Sequence, residues 1–133
     1  MNLSLVYDII EDKLTQHFNG SILRNSNLIN RKDTIYPCVA FDLQSIVDND
    51  ETSNYTIEFY LCTKMNSDFS QIEEHYNELI ERFKLFLIDI ESKGLIVNYP
   101  ITYNANSLKF ADVLNVELCE SLKRMKAEFT VDF

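Results

Sequence analysis

Tryptophan is missing from this chain, and glycine and proline occur only twice each. A loop that cradles a phosphate, of the P-loop or the dinucleotide type, needs several glycines where the backbone must approach the ligand, so those readings fall away. Gly20 and Gly94 each follow an amphipathic stretch instead and read as helix ends, with Asn19-Gly20 supplying a left-handed residue after the first. There is no GxSxG elbow and no HExxH pair, which removes two common enzyme signatures. The expectation is a protein that is not an enzyme and takes no cofactor.

Basic residues are also scarce. Lys and Arg number 12 against 21 Asp and Glu, a net charge of -9. Such a surface repels the phosphate backbone and argues against tight DNA or RNA binding, while remaining compatible with a wall that DNA slides past. Cys38, Cys62 and Cys119 are odd in number, widely spaced and free of any CxxC pair. Neither a disulfide framework nor a zinc site is indicated, and buried thiols in a reducing cytoplasm are expected. The start MNLSLVYDIIEDK has no basic region and meets Asp8, Glu11 and Asp12 early, so it does not read as a signal peptide. No apolar run approaches the ~20 residues of a membrane span.

What the chain has in quantity is apolar bulk: 46% hydrophobic residues, with nine Phe and seven Tyr. At 133 residues it is expected to form one domain, 1–133, with a core built on rings each contributing about 2 kcal/mol when buried.

Leu3, Val6, Ile9, Ile10, Leu14 and Phe18 recur at helical spacing against Asp8, Glu11, Asp12 and Lys13, which predicts an amphipathic helix. Residues 20–36 are polar and read as a long loop with a short strand at 21–23. Pro37 opens a strand over 36–47, with Val39, Phe41 and Leu43 on one face. DNDETSN, 48–54, is a turn, so 38–65 form an antiparallel hairpin.

A second helix is predicted from Phe69 to Lys93, capped by Ser67 or Asp68 and closed by Gly94; Ile72, Tyr76, Leu79, Ile80, Phe83, Leu87 and Ile90 hold its apolar face. Short strands or loop edges follow at 101–103 and 108–110. Residues 114–122 read equally as strand or helical turn, and RMKAEFTVDF is a half-buried strand. The fold class is therefore α+β: an antiparallel sheet of about four strands with two amphipathic helices on one face, in the order α-β-β-α-β-β.

Candidate chemistry is thin. His17 and His75 sit at the boundaries of the two helices, and the bland reading as boundary residues outweighs a catalytic pairing. Glu73, Glu74, Glu78, Glu81 and Arg82 form a solvated helical face, and Asp48, Asn49, Asp50 and Glu51 resemble a calcium loop in composition alone, without its glycine or spaced Glu. No metal site is expected.

One stretch breaks the ordinary pattern. YTIEFYLCTKM, 55–65, alternates as a strand, yet beside the apolar set Tyr55, Ile57, Phe59 and Leu61 its second face carries Glu58, Tyr60, Cys62 and Lys64. That second face is neither plainly core nor plainly wet.

A helix, a polar loop ending in a YP dipeptide that opens a strand (IYPCVAFDL), a long hairpin (NYTIEFYLCTKM), a long helix and a closing strand (KAEFTVDF) together resemble the small ring-forming proteins of tailed-phage necks, the tail-terminator and head-tail joining proteins. The resemblance covers nearly the whole chain and lies in architecture. It implies a structural virion protein, assembled in the host cytoplasm into a homo-oligomeric ring in the neck or tail. DNA would pass nearby without specific binding, with other phage neck or tail proteins as partners and no membrane. DVLNVEL departs from the commoner pattern, in which a glycine stands there. On this reading Glu58, Tyr60, Cys62 and Lys64 are the candidate subunit interface, since a ring needs two unlike surfaces that close by rotation; a second layer from 95–122 is the alternative cover for that face.

Two other classes compete. An acidic inhibitor that mimics DNA in a host nuclease or polymerase fits the charge, though its carboxylates should stand in regular rows, and here they are dispersed. A small enzyme or ligand-binding domain would need convergent polar groups lining a pocket, and none are visible.

Overall fold

The computed structural model describes residues 1–28, 33–64, 72–110 and 119–132. Its elements are helix α1 (Leu3–His17), strand β1 (Ile22–Leu23), β2 (Cys38–Asp48), β3 (Thr52–Lys64), helix α2 (Ile72–Ile90), β4 (Ile96–Phe110) and β5 (Cys119–Asp132), with single 3-10 turns at Ser26–Leu28 and Glu91–Lys93. No described helix is long and apolar enough to cross a membrane.

The class is α+β, as the periodicities require, but the sheet differs in detail from the four-stranded antiparallel arrangement. Five strands pair in the order β1-β2-β3-β5-β4. The added strand, β1, runs parallel to β2, with Ile22 opposite Val39 and Leu23 opposite Ala40. It falls within the short strand expected at 21–23, though it is only two residues long. The hairpin turn is also tighter than expected: β3 already begins at Thr52, and Asn49 N–H donates to the Thr52 carbonyl at 2.7 Å.

Residues 96–110 form one strand instead of two fragments, with register shifts at 98/102, 104/108 and 108/110 that hide its period. Residues 119–122 belong to β5, which settles the strand reading for that part of the ambiguous stretch. The expected caps Ser67 and Asp68, Phe69, residues 114–118 and Phe133 lie outside the described residues.

α1 begins at Asn2, whose side chain accepts from Leu5 N–H at 2.9 Å. It ends at Phe18 in extended conformation, so Gly20 is not the left-handed stop expected of it. Gly20 is required for space: a Cβ there would run into the Pro37 and Ile35 carbonyl oxygens. Here the chain returns beside β2, with Ser21 N–H on the Ile35 carbonyl and Val39 N–H on that of Ser21. Gly94 does close the second helical segment, at φ 90.

Both helices lie on one face of the sheet. Val6, Ile10 and Leu14 of α1, with Leu79, Phe83, Phe86, Leu87 and Ile90 of α2, share a buried cluster with Val39, Phe41, Ile57, Phe59, Leu61, Ala127 and Phe129. Phe59 is its hub: its ring lies 5.1 Å from Phe83, 5.7 Å from Phe86, 6.1 Å from Phe41 and 6.2 Å from Phe129, mostly edge to face. The Tyr7 hydroxyl accepts from Leu43 N–H at 3.1 Å and pins α1 to β2.

Candidate functional site

The face of the sheet away from the helices is where the anomalous residues of β3 stand. Cys62 is paired with Cys38, Tyr60 with Ala40 and Glu58 with Asp42 across β2 and β3. Val39 N–H points outward, away from β3, to the Ser21 carbonyl just before β1. Alternation along β2 therefore aims the peptide groups of Cys38 and Ala40 at β3, and these are hydrogen-bonded pairs with Cα atoms about 5.5 Å apart.

Cys38, Ala40, Tyr60 and Cys62 make a second, smaller apolar cluster, and Leu23 and Tyr36 pack against it. Glu58, Tyr60 and Cys62 are 4%, 7% and 0% exposed in the single chain, so they have almost no surface left to offer a neighbour. The described cover comes from β1 and the end of the 20–36 loop. Of the stretch 95–122 considered as a second layer, the part described as β4 continues the same sheet, and residues 111–118 lie outside the described residues. The side chain of Lys64 lies outside the described residues, as do those of His75, Glu73, Glu74 and Cys119.

Farther along the same face the side chains are polar and tied together. Asn98 donates to Glu128 at 2.7 Å and to Thr130 at 2.8 Å, and the Thr130 hydroxyl donates to Asn54 at 2.8 Å, linking β4, β5 and β3. Asp42 accepts from Ser26 N–H at 2.9 Å, holding the 3-10 turn against β2.

Among the described residues, the ionic node between the helices involves His17. Asp89 of α2 lies 2.9 Å from His17 Nε2 and 3.2 Å from Lys13 Nζ, both on α1. The His17 hydrogen bond and the Lys13 ammonium hold the Asp89 carboxyl below the usual carboxylate range. It fastens the helices at a boundary position, in keeping with the bland reading of His17. Glu78 and Arg82 form the expected i,i+4 ion pair, 2.6 Å. Among the described residues no group of three or more His, Cys, Asp or Glu is placed to hold a metal ion.

Sequence reasoning passed over the borders of the sheet. Ile46 and Val47, near the end of β2, are 41% and 55% exposed, and Ile96 and Tyr99, at the start of β4, are 59% and 63% exposed. The only available signal was the unbroken apolar run Leu95, Ile96, Val97 directly after Gly94, which reads as a strand start. β2 and β4 lie on opposite sides of the sheet, and β1 covers β2 only at Val39 and Ala40.

No protein-family model matches the chain, and no curated protein matches it either.

Proposed function

We propose that this chain is a structural subunit that assembles with copies of itself into a ring, in the neck or tail of a tailed phage, around a channel that DNA passes. One observation carries the reading: a single sheet exposes large apolar side chains at both of its borders, Ile46 and Val47 on one and Ile96 and Tyr99 on the other. A ring held by head-to-tail contacts needs two unlike surfaces on opposite sides of the subunit, and these borders supply them. The net charge of -9 suits a lumen that must not retain a polyanion. The order of helix, YP-opened hairpin, long helix and closing strand supports the phage-neck resemblance.

With Tyr60 and Cys62 covered by their own chain, the borders replace that face as the contact surface. Light scattering coupled to size exclusion, followed by electron microscopy of the multimer, tests the reading. Closed rings, formed by the protein alone or with other neck proteins, are the expected result. A stable monomer that binds a nuclease or polymerase tightly would establish the DNA-mimic reading instead.

A further inference from the structure

Alternation along an antiparallel ladder fixes which peptide groups each strand turns outward. The bond from Asn49 N–H to the Thr52 carbonyl makes 49 and 52 a hydrogen-bonded pair. It follows that Val47 and Ser45 bond toward Asn54 and Thr56 of β3, and that the N–H and C=O of Ile46 and Asp48 point to the outer side of β2, where no described strand pairs with them. On β3, Tyr55 is then aimed at β5, opposite Phe129. On β5, Thr130 and Glu128 are aimed at β4, opposite Ile96 and Asn98. The N–H and C=O groups of Val97 and Tyr99 therefore point to the open side of β4, where no described strand pairs.

Ile46, Tyr55, Phe129 and Val97 occupy one continuous row across the sheet. The two open borders are thus at the same level and in the same hydrogen-bonding phase. They also run in opposite directions, since each of the three pairings between β2 and β4 is antiparallel.

We propose that the sheet continues from copy to copy, with the start of β4 in one subunit pairing antiparallel to the end of β2 in the next. Val97 and Ile46 of the next copy exchange both main-chain hydrogen bonds. Ile96 and Val47 of the next copy then fall in the adjacent non-bonded position, Cα atoms about 4.5 Å apart, where two β-branched side chains pack closely. Asn98 meets Ser45 one position further. In the other direction the acidic hairpin tip, Asp50 and Glu51, comes toward the exposed Lys93 that precedes β4.

Both open stretches end at the same level. A bulge between Leu43 and Ser45 interrupts β2, and the 98/102 irregularity with Pro100 interrupts β4. The pairing is therefore confined to about four residues per strand, which limits indiscriminate edge addition. So short a contact is weak against the entropy of association, and closing a ring gives each subunit two of them.

This inference rests on the ring reading and specifies its interface. The test uses the full chain with Val47→Lys, Ile96→Glu and the double variant, each measured by light scattering, and with Val47→Cys/Ile96→Cys oxidised by diamide and run on a non-reducing gel. The expected result is a wild-type multimer, a shift of Val47→Lys to the mass of one chain, recovery of the multimer in the double variant, and a ladder of disulfide-linked species from the double cysteine variant alone. A multimer indifferent to all four changes and giving no ladder overturns the edge pairing while leaving the ring standing. A wild type that stays monomeric at the highest attainable concentration, with no ladder, overturns the edge pairing, and failure to form rings with other neck proteins as well overturns both.

Discussion

Cys38 and Cys62 face each other directly across β2 and β3, and neither has exposed surface. Their surroundings, Ala40, Tyr60, Leu23 and Tyr36, are apolar or aromatic, so a charge introduced there has no water to keep it. Replacing Cys62 with Glu and Tyr60 with Lys is expected to cost about 3 kcal/mol or more, read as a large fall in the thermal midpoint or loss of the cooperative melt. An unchanged midpoint would show that this cover opens and that the face is available to a neighbour after all. In the wild type, a thiol reagent should reach Cys38 and Cys62 only on unfolding.

Phe59 touches aromatic rings from both sheet and helix. Truncation to Ala leaves a void at the junction of α2 with β2, β3 and β5 that rigid neighbours cannot close. The expected cost is about 4 kcal/mol, measured by urea unfolding, against less than about 1 kcal/mol for Leu85→Ala on the exposed side of α2.

Gly20→Ala should destabilise by about 2 kcal/mol or more, although the backbone there is not left-handed. The added carbon would meet the Pro37 and Ile35 carbonyl oxygens, so relief requires moving the entry to β2 and with it β1. Gly94→Ala should also be unfavourable, for the other reason: φ there is 90 with ample space around it. A structure of each variant distinguishes the two, a displaced loop in the first and an unmoved one in the second.

The node formed by Asp89, His17 and Lys13 has a defined pH dependence. Because the folded state holds the Asp89 carboxyl below its ordinary value of 3.8, its contribution is complete above that value and fades as pH falls through the lower folded one. Asp89→Asn is expected to lower stability at neutral pH and to flatten its decline in acid. Denaturant midpoints compared with wild type from about pH 7 to about pH 3 measure this; parallel curves would assign the acid loss to other carboxylates.

Much of this fold was legible because its main elements keep one period each. The Leu3 to Phe18 stripe, the described α2 face from Leu79 to Ile90 and the alternation of Tyr55, Ile57, Phe59 and Leu61 are buried toward the same core, apart from partly buried Leu3, Ile9 and Ile80. What escaped has local physical reasons. The short strand at 21–23 was legible, but its parallel pairing to β2 was not, because two residues cannot specify a partner; β4 changes register repeatedly, so Ile101 and Val97 do not advertise a common strand. The role of Gly20 depends on Pro37, seventeen positions on, and spacing within a helix cannot reveal it. The second face of β3 reads as unusual, but its described cover includes Leu23 and Tyr36 from a segment whose polar composition gives no sign of such a role. The border residues were invisible as a pair because their shared level follows only from the order in which strands are laid down.

That order also bears on how the protein is made. β5, late in the chain, sits between β3 and β4, and neither of those strands touches the other without it. A nascent chain stopped before Cys119 holds a hairpin and two helices but lacks the strand that carries Ala127, Phe129 and Val131 into the core. Partners in the β3–β5 ladder are as distant as Thr52 and Asp132, and such non-local pairing slows closure. Synthesis of most of the polypeptide therefore precedes formation of the sheet, and the borders that would meet other copies are aligned with one another only once β5 is in place.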